Sequence, residues 1–177
     1  MSSDTGYATL KAALEHVRPG GWAVEFGVYS GQSIRMIAER MPVIGFDSFK
    51  GLPEDWRPGF KKGKFAYPGF PVTASGTMLV HGWFEDTVPG FPFPTLNLVH
   101  IDCDLYSSTV TALEGVAPHI SEGTVIVFDE FHGYPGCADH EMKAWEEFCD
   151  KYSVLASTLA MGPEEIAFRI DHITNER

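Results

Sequence analysis

The stretch AVEFGVYSGQS, Ala23 to Ser33, decides the fold. An apolar run from Trp22 to Val24 turns acidic at Glu25, and the chain then passes Gly27 and Gly31. From Ser33 it continues as SIRMIAERM, with Ile34, Ile37 and Met41 at helical spacing. The pattern predicts a strand, a tight glycine-bearing turn and a helix over 33–41. In an open α/β sheet the first such turn lies at the carboxyl end of the strands, where nucleotide-like ligands bind. Gly27 and Gly31 carry no Cβ, so a ligand can approach the backbone. The helix start after Ser30 presents free N–H groups to a carboxylate or phosphate. Glu25 disfavours a phosphate, because two anions repel, and favours a ligand bearing a cation or hydroxyls.

Outward from this turn, the totals set bounds. A chain of 177 residues with 44% hydrophobic and 21% charged content has the bulk for one domain, 1–177, with a true core. Its net charge of −11 argues against a nucleic-acid partner, since phosphate binding needs an excess of Lys and Arg. The first residues, MSSDTGYATLKAALEHVRPGG, lack the charged-then-apolar pattern of a leader, and no apolar run is long enough to cross a bilayer. Cys103, Cys137 and Cys149 are odd in number and show no metal spacing, which fits reduced thiols. The expectation is a cytoplasmic protein with no membrane partner.

Before the organising strand, residues 6–17 place Leu10, Leu14 and Val17 on one helical face, ended by Pro19-Gly20-Gly21. After the helix at 33–41, VIGFDSF reads as a buried strand turning polar at Asp47. Residues 51–76 are rich in Gly, Pro and aromatics, with little periodicity. They predict a long irregular loop over the carboxyl edge of the sheet. Its Lys61, Lys62 and Lys64 read as a solvated surface run, with a substrate-facing lid as the alternative. TMLVH is a strand ending at Gly82, and LNLVHIDCD is a continuous apolar run of the kind a central parallel strand requires. A helix from Ser108 follows, with Ser107 or Ser108 as N-cap and Leu113, Val116 and Ile120 on one face. TVIVFDEF is another buried strand. ADHEMKAWEEFCDKY is a helix whose Met142, Trp145, Phe148, Cys149 and Tyr152 face the core. SVLAST and EEIAFRID form an antiparallel pair about a Gly-Pro turn. The alternation makes the fold α/β.

Four of these strands end in carboxylates: Glu25, Asp47, Asp102 with Asp104, and Asp129 with Glu130. Parallel strands all end on one side, so these acids gather on one rim. Adjacent strands lie about 4.8 Å apart. If those of Asp102 and Asp129 are neighbours, their carboxylates can share a hard cation such as Mg²⁺, with Glu130 completing the set. The other interpretation is that these acids cap helices and hold no metal. Asp47 stands about 20 residues beyond the glycine turn, a position from which acids bind ribose hydroxyls, as in adenosine-type ligands. The full GxGxxG fingerprint is missing, so a pyrophosphate has a poorer cradle than a methionine tail. S-adenosylmethionine combines a carboxylate, an ammonium, a sulfonium and an adenosine. Trp83 and Phe84 follow the third strand, where they stack on an adenine or serve as core aromatics.

VEFGVYSGQS, FDSFKGLPEDW, GWFEDTVP, HIDCDLYSST and VFDEF, in that order, resemble class I S-adenosylmethionine-dependent methyltransferases. The nearest group is the macrocin O-methyltransferase family, which methylates sugar hydroxyls of natural products with Mg²⁺. The likeness runs from about Gly20 to Ile170. It implies a Rossmann-like seven-stranded sheet of order 3-2-1-4-5-7-6, strand 7 antiparallel, with helices on both faces. It also implies a cofactor-facing set of Glu25, Phe26, Gly27, Ser30, Gly31, Ser33, Asp47, Ser48, Trp83, Phe84 and Asp102. In that set Glu25, Gly27 and Gly31 line the methionine half, Asp47 holds the ribose, and Ser48, Trp83 and Phe84 surround the adenine. Asp102, Asp129 and Glu130 match the metal carboxylates, although the family pattern after strand 5 is Asp-Asp. The family also carries an N-terminal extension and a helix between strands 2 and 3, whereas 51–76 reads as loop.

The implied reaction displaces the sulfonium methyl in line with an acceptor oxygen of a small molecule or sugar. Asp102 or His132 would take the acceptor proton. The rivals are a metal-free methyltransferase using His132, and a non-catalytic module that binds the cofactor, with a second copy of the chain covering its site. An NAD-dependent oxidoreductase is weakened by the missing glycine.

Overall fold

The computed structural model describes residues 7–174. Its elements are α1 (Ala8–Leu14), β1 (Trp22–Phe26), α2 (Gln32–Ala38), β2 (Val43–Asp47), β3 (Thr77–His81), α3 (Phe84–Thr87), β4 (Leu96–Ile101), α4 (Tyr106–Val116), β5 (Val125–Phe128), α5 (Glu141–Tyr152), β6 (Leu155–Met161) and β7 (Ile166–His172). The strands form one seven-stranded sheet of order β3-β2-β1-β4-β5-β7-β6. β3 through β5 run parallel, and β7 is antiparallel to both β5 and β6. The sheet order and the antiparallel final pair are as the sequence implied.

Helix layers on both faces explain the unbroken apolar runs. All six residues of β4 and all four of β5 are buried. Side chains alternate between two apolar layers, as the two-residue period of a strand requires. Val24, Phe26, Ile44 and Phe46 join Leu113 and Val116 of α4 and Trp145 and Phe148 of α5. Ala23, Val43 and Leu98 point the other way, against Leu10 and Leu14 of α1 and Ile34 and Ile37 of α2.

Three boundaries differ from expectation. The first helix spans only Ala8–Leu14, and residue 6 of the expected helix lies outside the described residues. α2 ends at Ala38 rather than 41, because Pro42 disfavours helical backbone in the residue before it. α4 begins at Tyr106, two residues early, with Leu105 as its uncapped N-cap. The left-handed backbone of Asp104, at φ 66°, turns the chain just ahead of it, so neither Ser107 nor Ser108 serves as cap. Ser107 donates instead to Glu54 at 2.9 Å. Ile120 lies past the helix, beyond a turn of 3₁₀ helix over Ala117–His119.

The sheet order reverses between β1 and its neighbours β2 and β4, which makes their carboxyl ends the expected binding crevice. There the Gly27 N–H donates to Phe46 O and the Asp102 N–H to Phe26 O, both at 2.9 Å. Gly27 has φ +93°, and a Cβ on it would fall 1.7 Å from the Asp102 carbonyl oxygen. Replacing Gly27 with Ala therefore adds a backbone clash to a left-handed penalty. We expect a loss of about 3 kcal/mol or more, a fall in Tm of at least about 6 °C. Gly59→Ala, also at positive φ but with nothing within 4 Å, should cost less than half as much in the same thermal melts.

Candidate functional site

A cavity of about 240 Å³ opens at this crevice. Gly27, Asp47, Ser48, Trp83, Phe84, Asp102, Asp129 and Glu130 of the expected set line it. Leu52, Pro53 and Phe65 close one side from the 51–76 segment, which does lie over the carboxyl edge. Lys61, Lys62 and Lys64 are exposed; Lys61 pairs with Asp55 at 2.7 Å, and Lys64 lies over the Phe60 and Phe65 rings.

The strands of Asp102 and Asp129 are neighbours, with Ile101 opposite Phe128. The Asp129 N–H donates to Ile101 O at 2.9 Å, so the pairing carries one residue past the strands and fixes both acids. One carboxylate oxygen from each of Asp102, Asp129 and Glu130 lies within 4.8 Å of the others. Burial first, then the neighbouring carboxylates, lift the carboxyls of Asp102 and Glu130 well above the usual range. Burial likewise raises Asp129, and burial together with the charge of Asp129 pushes Asp104 up to about 7. An all-oxygen set of crowded acids suits a hard divalent cation, whose charge reverses this balance.

Asp47 has a different first task from the one expected. Its Oδ2 accepts the N–H groups of Val28 and Tyr29, both at 2.8 Å, and its Oδ1 accepts that of Phe49 at 2.6 Å. It pins the glycine turn to the end of β2. A carboxylate has about four acceptor sites, which leaves capacity for one ribose hydroxyl.

Several residues expected to contact the ligand stand outside the cavity lining. Glu25 is fully buried below the cavity, and its Oε1 lies 2.8 Å from Nδ1 of His100, which stands opposite it on β4. Burial raises the Glu25 carboxyl. For His100 burial pulls the other way, but the hydrogen bond and charge of Glu25 leave it raised. The alternation of β1 sends Glu25 into the α2 layer, where Ser33, also buried, hydrogen-bonds to it. Phe26 faces the opposite layer, stacked on Phe46 at 5.2 Å and edge-on to Phe84 at 5.4 Å, so it supports the cavity wall from behind. Ser30 and Gly31 also stand outside the lining. Pro71 packs over Gly31, while Arg35 binds Ser30 O at 3.2 Å and Val72 O at 2.9 Å. His132 lies outside the lining too; its N–H, with that of Phe131, is drawn to Glu164 O in the β6–β7 turn.

Three contributors went unread in the sequence. Tyr29 lines the cavity from the glycine turn itself. Arg57 lies over the rings of Trp56, Tyr134 and Phe60, at 4.0, 4.4 and 4.8 Å, and pairs with Glu164 at 2.9 Å, fastening the long loop to the β5 side. Glu141, at the start of α5, is fully buried and accepts the Glu130 N–H at 3.3 Å. An acidic residue opening a helix is too common to be a signal.

Comparison with known proteins bears on the family and the fold. Residues 61–162 match the family model described as Macrocin-O-methyltransferase (TylF). Over 131 residues the chain is 30% identical to 8-demethyl-8-(2,3-dimethoxy-alpha-L-rhamnosyl)-tetracenomycin-C 4'-O-methyltransferase of Streptomyces olivaceus, covering 68% of this chain and 49% of that protein. Over 73 residues it is 36% identical to demethyldecarbamoylnovobiocin O-methyltransferase of Streptomyces niveus, covering 41% and 26% respectively. The chain thus spans less than half the length of these relatives. In structure it is similar to CalS11, a calicheamicin methyltransferase, with TM-score 0.71 and 24% identity over 92% of this chain and 76% of that one. At that identity the likeness bears on the fold alone. Among the described residues no helix is long and apolar enough to cross a membrane. With more than half of its residues matched by the family model, the chain belongs to the macrocin O-methyltransferase family.

Proposed function

We propose that the protein transfers a methyl group from S-adenosylmethionine to a hydroxyl of a small molecule, of the sugar or polyketide type, with Mg²⁺ at Asp102, Asp129 and Glu130. The convergence of these three carboxylates on the wall of a cavity that also holds Asp47, Trp83 and Phe84 carries the proposal. Two relatives support the substrate class, being named for O-methylation of a rhamnosyl group and of mycinamicin III at 3''. A structural neighbour, the methyltransferase MycE, is described in complex with Mg and SAH, with TM-score 0.59.

When bound, the cofactor would supply an electrophilic methyl on a good leaving group, and a metal held by Asp102, Asp129 and Glu130 would supply Lewis acidity. The protein's share is placement and proton removal. Gly27 lets the ends of β1 and β4 close up beside the cavity, Asp47 offers its remaining acceptor site to the ribose, and Trp83 and Phe84 flank the base. Asp102, Asp129 and Glu130 orient the acceptor oxygen, and holding reacting atoms near 3 Å contributes several kcal/mol. Asp102, which lines the cavity, is the proton acceptor in this reading. Leu52, Pro53 and Phe65 exclude water.

Calorimetric titration with S-adenosylhomocysteine, with and without Mg²⁺, tests the assignment. Asp47→Ala should weaken that binding at least tenfold, and an unchanged affinity refutes the role of Asp47. Asp129→Ala should leave the affinity within about threefold while abolishing any Mg²⁺ effect on binding or turnover; a mutant still stimulated by Mg²⁺ removes the metal from this site.

The raised carboxyls give a pH dependence of defined sign. An acid whose folded-state pKa is raised favours the fold while protonated. Its contribution is complete below the ordinary carboxylate range and is lost as pH rises through the raised value, about 7 for Asp104. In EDTA, Tm should therefore fall between about pH 5 and 8, and Mg²⁺ should flatten that fall. A Tm that rises over this window in EDTA contradicts the crowding of the acids.

A further inference from the structure

We infer that Glu141 is a positioning residue of the carboxylate centre: it ties together the two loops that carry the three acids, and its charge strengthens their hold on a divalent cation. The inference rests on the metal site proposed above. Glu141 is 0% exposed, and its Oε2 accepts the N–H of Glu130 at 3.3 Å. The backbone N–H of Cys103, flanked by Asp102 and Asp104, faces the same carboxylate and favours its ionised form. One side chain from α5 thus spans the loop after β4 and the loop after β5.

Accepting N–H groups would not by itself call for a charge, since the carbonyl of a glutamine could accept them too. Glu141 nevertheless keeps a carboxylate whose Oε1 is buried without a partner, as is Oε2 of Glu130. The charges that bear on it most, those of Asp104 and Asp129, are negative. Arg57, the cation acting on Asp104, is engaged by Glu164. In the metal-free fold the Glu141 charge is therefore a burden, and it turns favourable only with a cation in the centre. A purely structural clamp would not show this reversal of sign.

Glu141→Gln keeps the shape and the acceptor and removes the charge. Thermal melts in EDTA and in Mg²⁺, with calorimetric Mg²⁺ titrations in the presence of S-adenosylhomocysteine, read both sides of the reversal. The variant should melt above the parent in EDTA yet bind Mg²⁺ at least fivefold more weakly, with unchanged affinity for S-adenosylhomocysteine. Glu141→Ala, which also loses the clamp, should bind Mg²⁺ more weakly still. A Gln variant that melts below the parent in EDTA or does not fold overturns the inference, because Glu141 is then a structural cap. So does a Gln variant that binds Mg²⁺ as well as the parent. A parent that binds no Mg²⁺ brings down the metal site itself, and this inference with it.

Discussion

The carbonyl of Asp102 sits where a side chain on residue 27 would have to be, and this close approach of β1 and β4 sets the rest of the carboxyl edge. Only a glycine at residue 27 lets the strand ends converge at the point where the sheet order reverses. Once they do, the Asp102 N–H pairs with Phe26 O and the Asp129 N–H with Ile101 O, so two acids on successive strands are set by backbone hydrogen bonds rather than by their own flexible side chains. On the other flank Asp47 fastens the glycine turn through Val28 and Tyr29. The cavity is thus built from main chain, and the side chains that line it inherit that precision.

Such convergence has an electrostatic consequence. At an effective dielectric constant near 20, two full charges about 5 Å apart repel by roughly 3 kcal/mol. Three ionised carboxylates with oxygens mutually within 4.8 Å, joined by Asp104 and Glu141, would then oppose the fold by an amount comparable to the 5–15 kcal/mol of stability typical of a domain. The fold tolerates the cluster only with protons or a cation to compensate it. The same crowding both raises these carboxyls and makes the centre a good host for a divalent ion.

What the sequence made legible follows from the range of each interaction. The sheet could be read because unbroken apolar runs such as LNLVHI are dictated by burial on both faces, and the rim of Asp102, Asp129 and Glu130 because parallel strands end together. The burial of Glu25 was not legible because strand alternation fixes which face a side chain takes only once its neighbours are known, and its partner His100 is 75 residues away. The covering of Ser30 and Gly31 was not legible because Pro71 and Val72 return across the turn, a contact no local pattern encodes. Glu141 and Arg57 went unread for the same reason: each acts through partners on other elements. The cap expected at Ser107 or Ser108 lost to the left-handed turn at Asp104.

The division of labour along the chain mirrors this. The glycine turn and Asp47 lie in the first third, ahead of the matched span 61–162, while Trp83, Phe84, Asp102, Asp129, Glu130 and Glu141 all fall within it. A strand–glycine–helix unit serves many nucleotide-like ligands, so it determines the architecture without naming the chemistry. The acidic rim is the narrower device, because crowding three carboxylates burdens the fold and few folds tolerate it. Arg57 joins the two halves, carrying the loop between β2 and β3 across to Tyr134 and Glu164 beside the rim. The loop that closes one side of the cavity is thereby held by contacts made on the side of the acidic rim, so the two sides of the cavity assemble together.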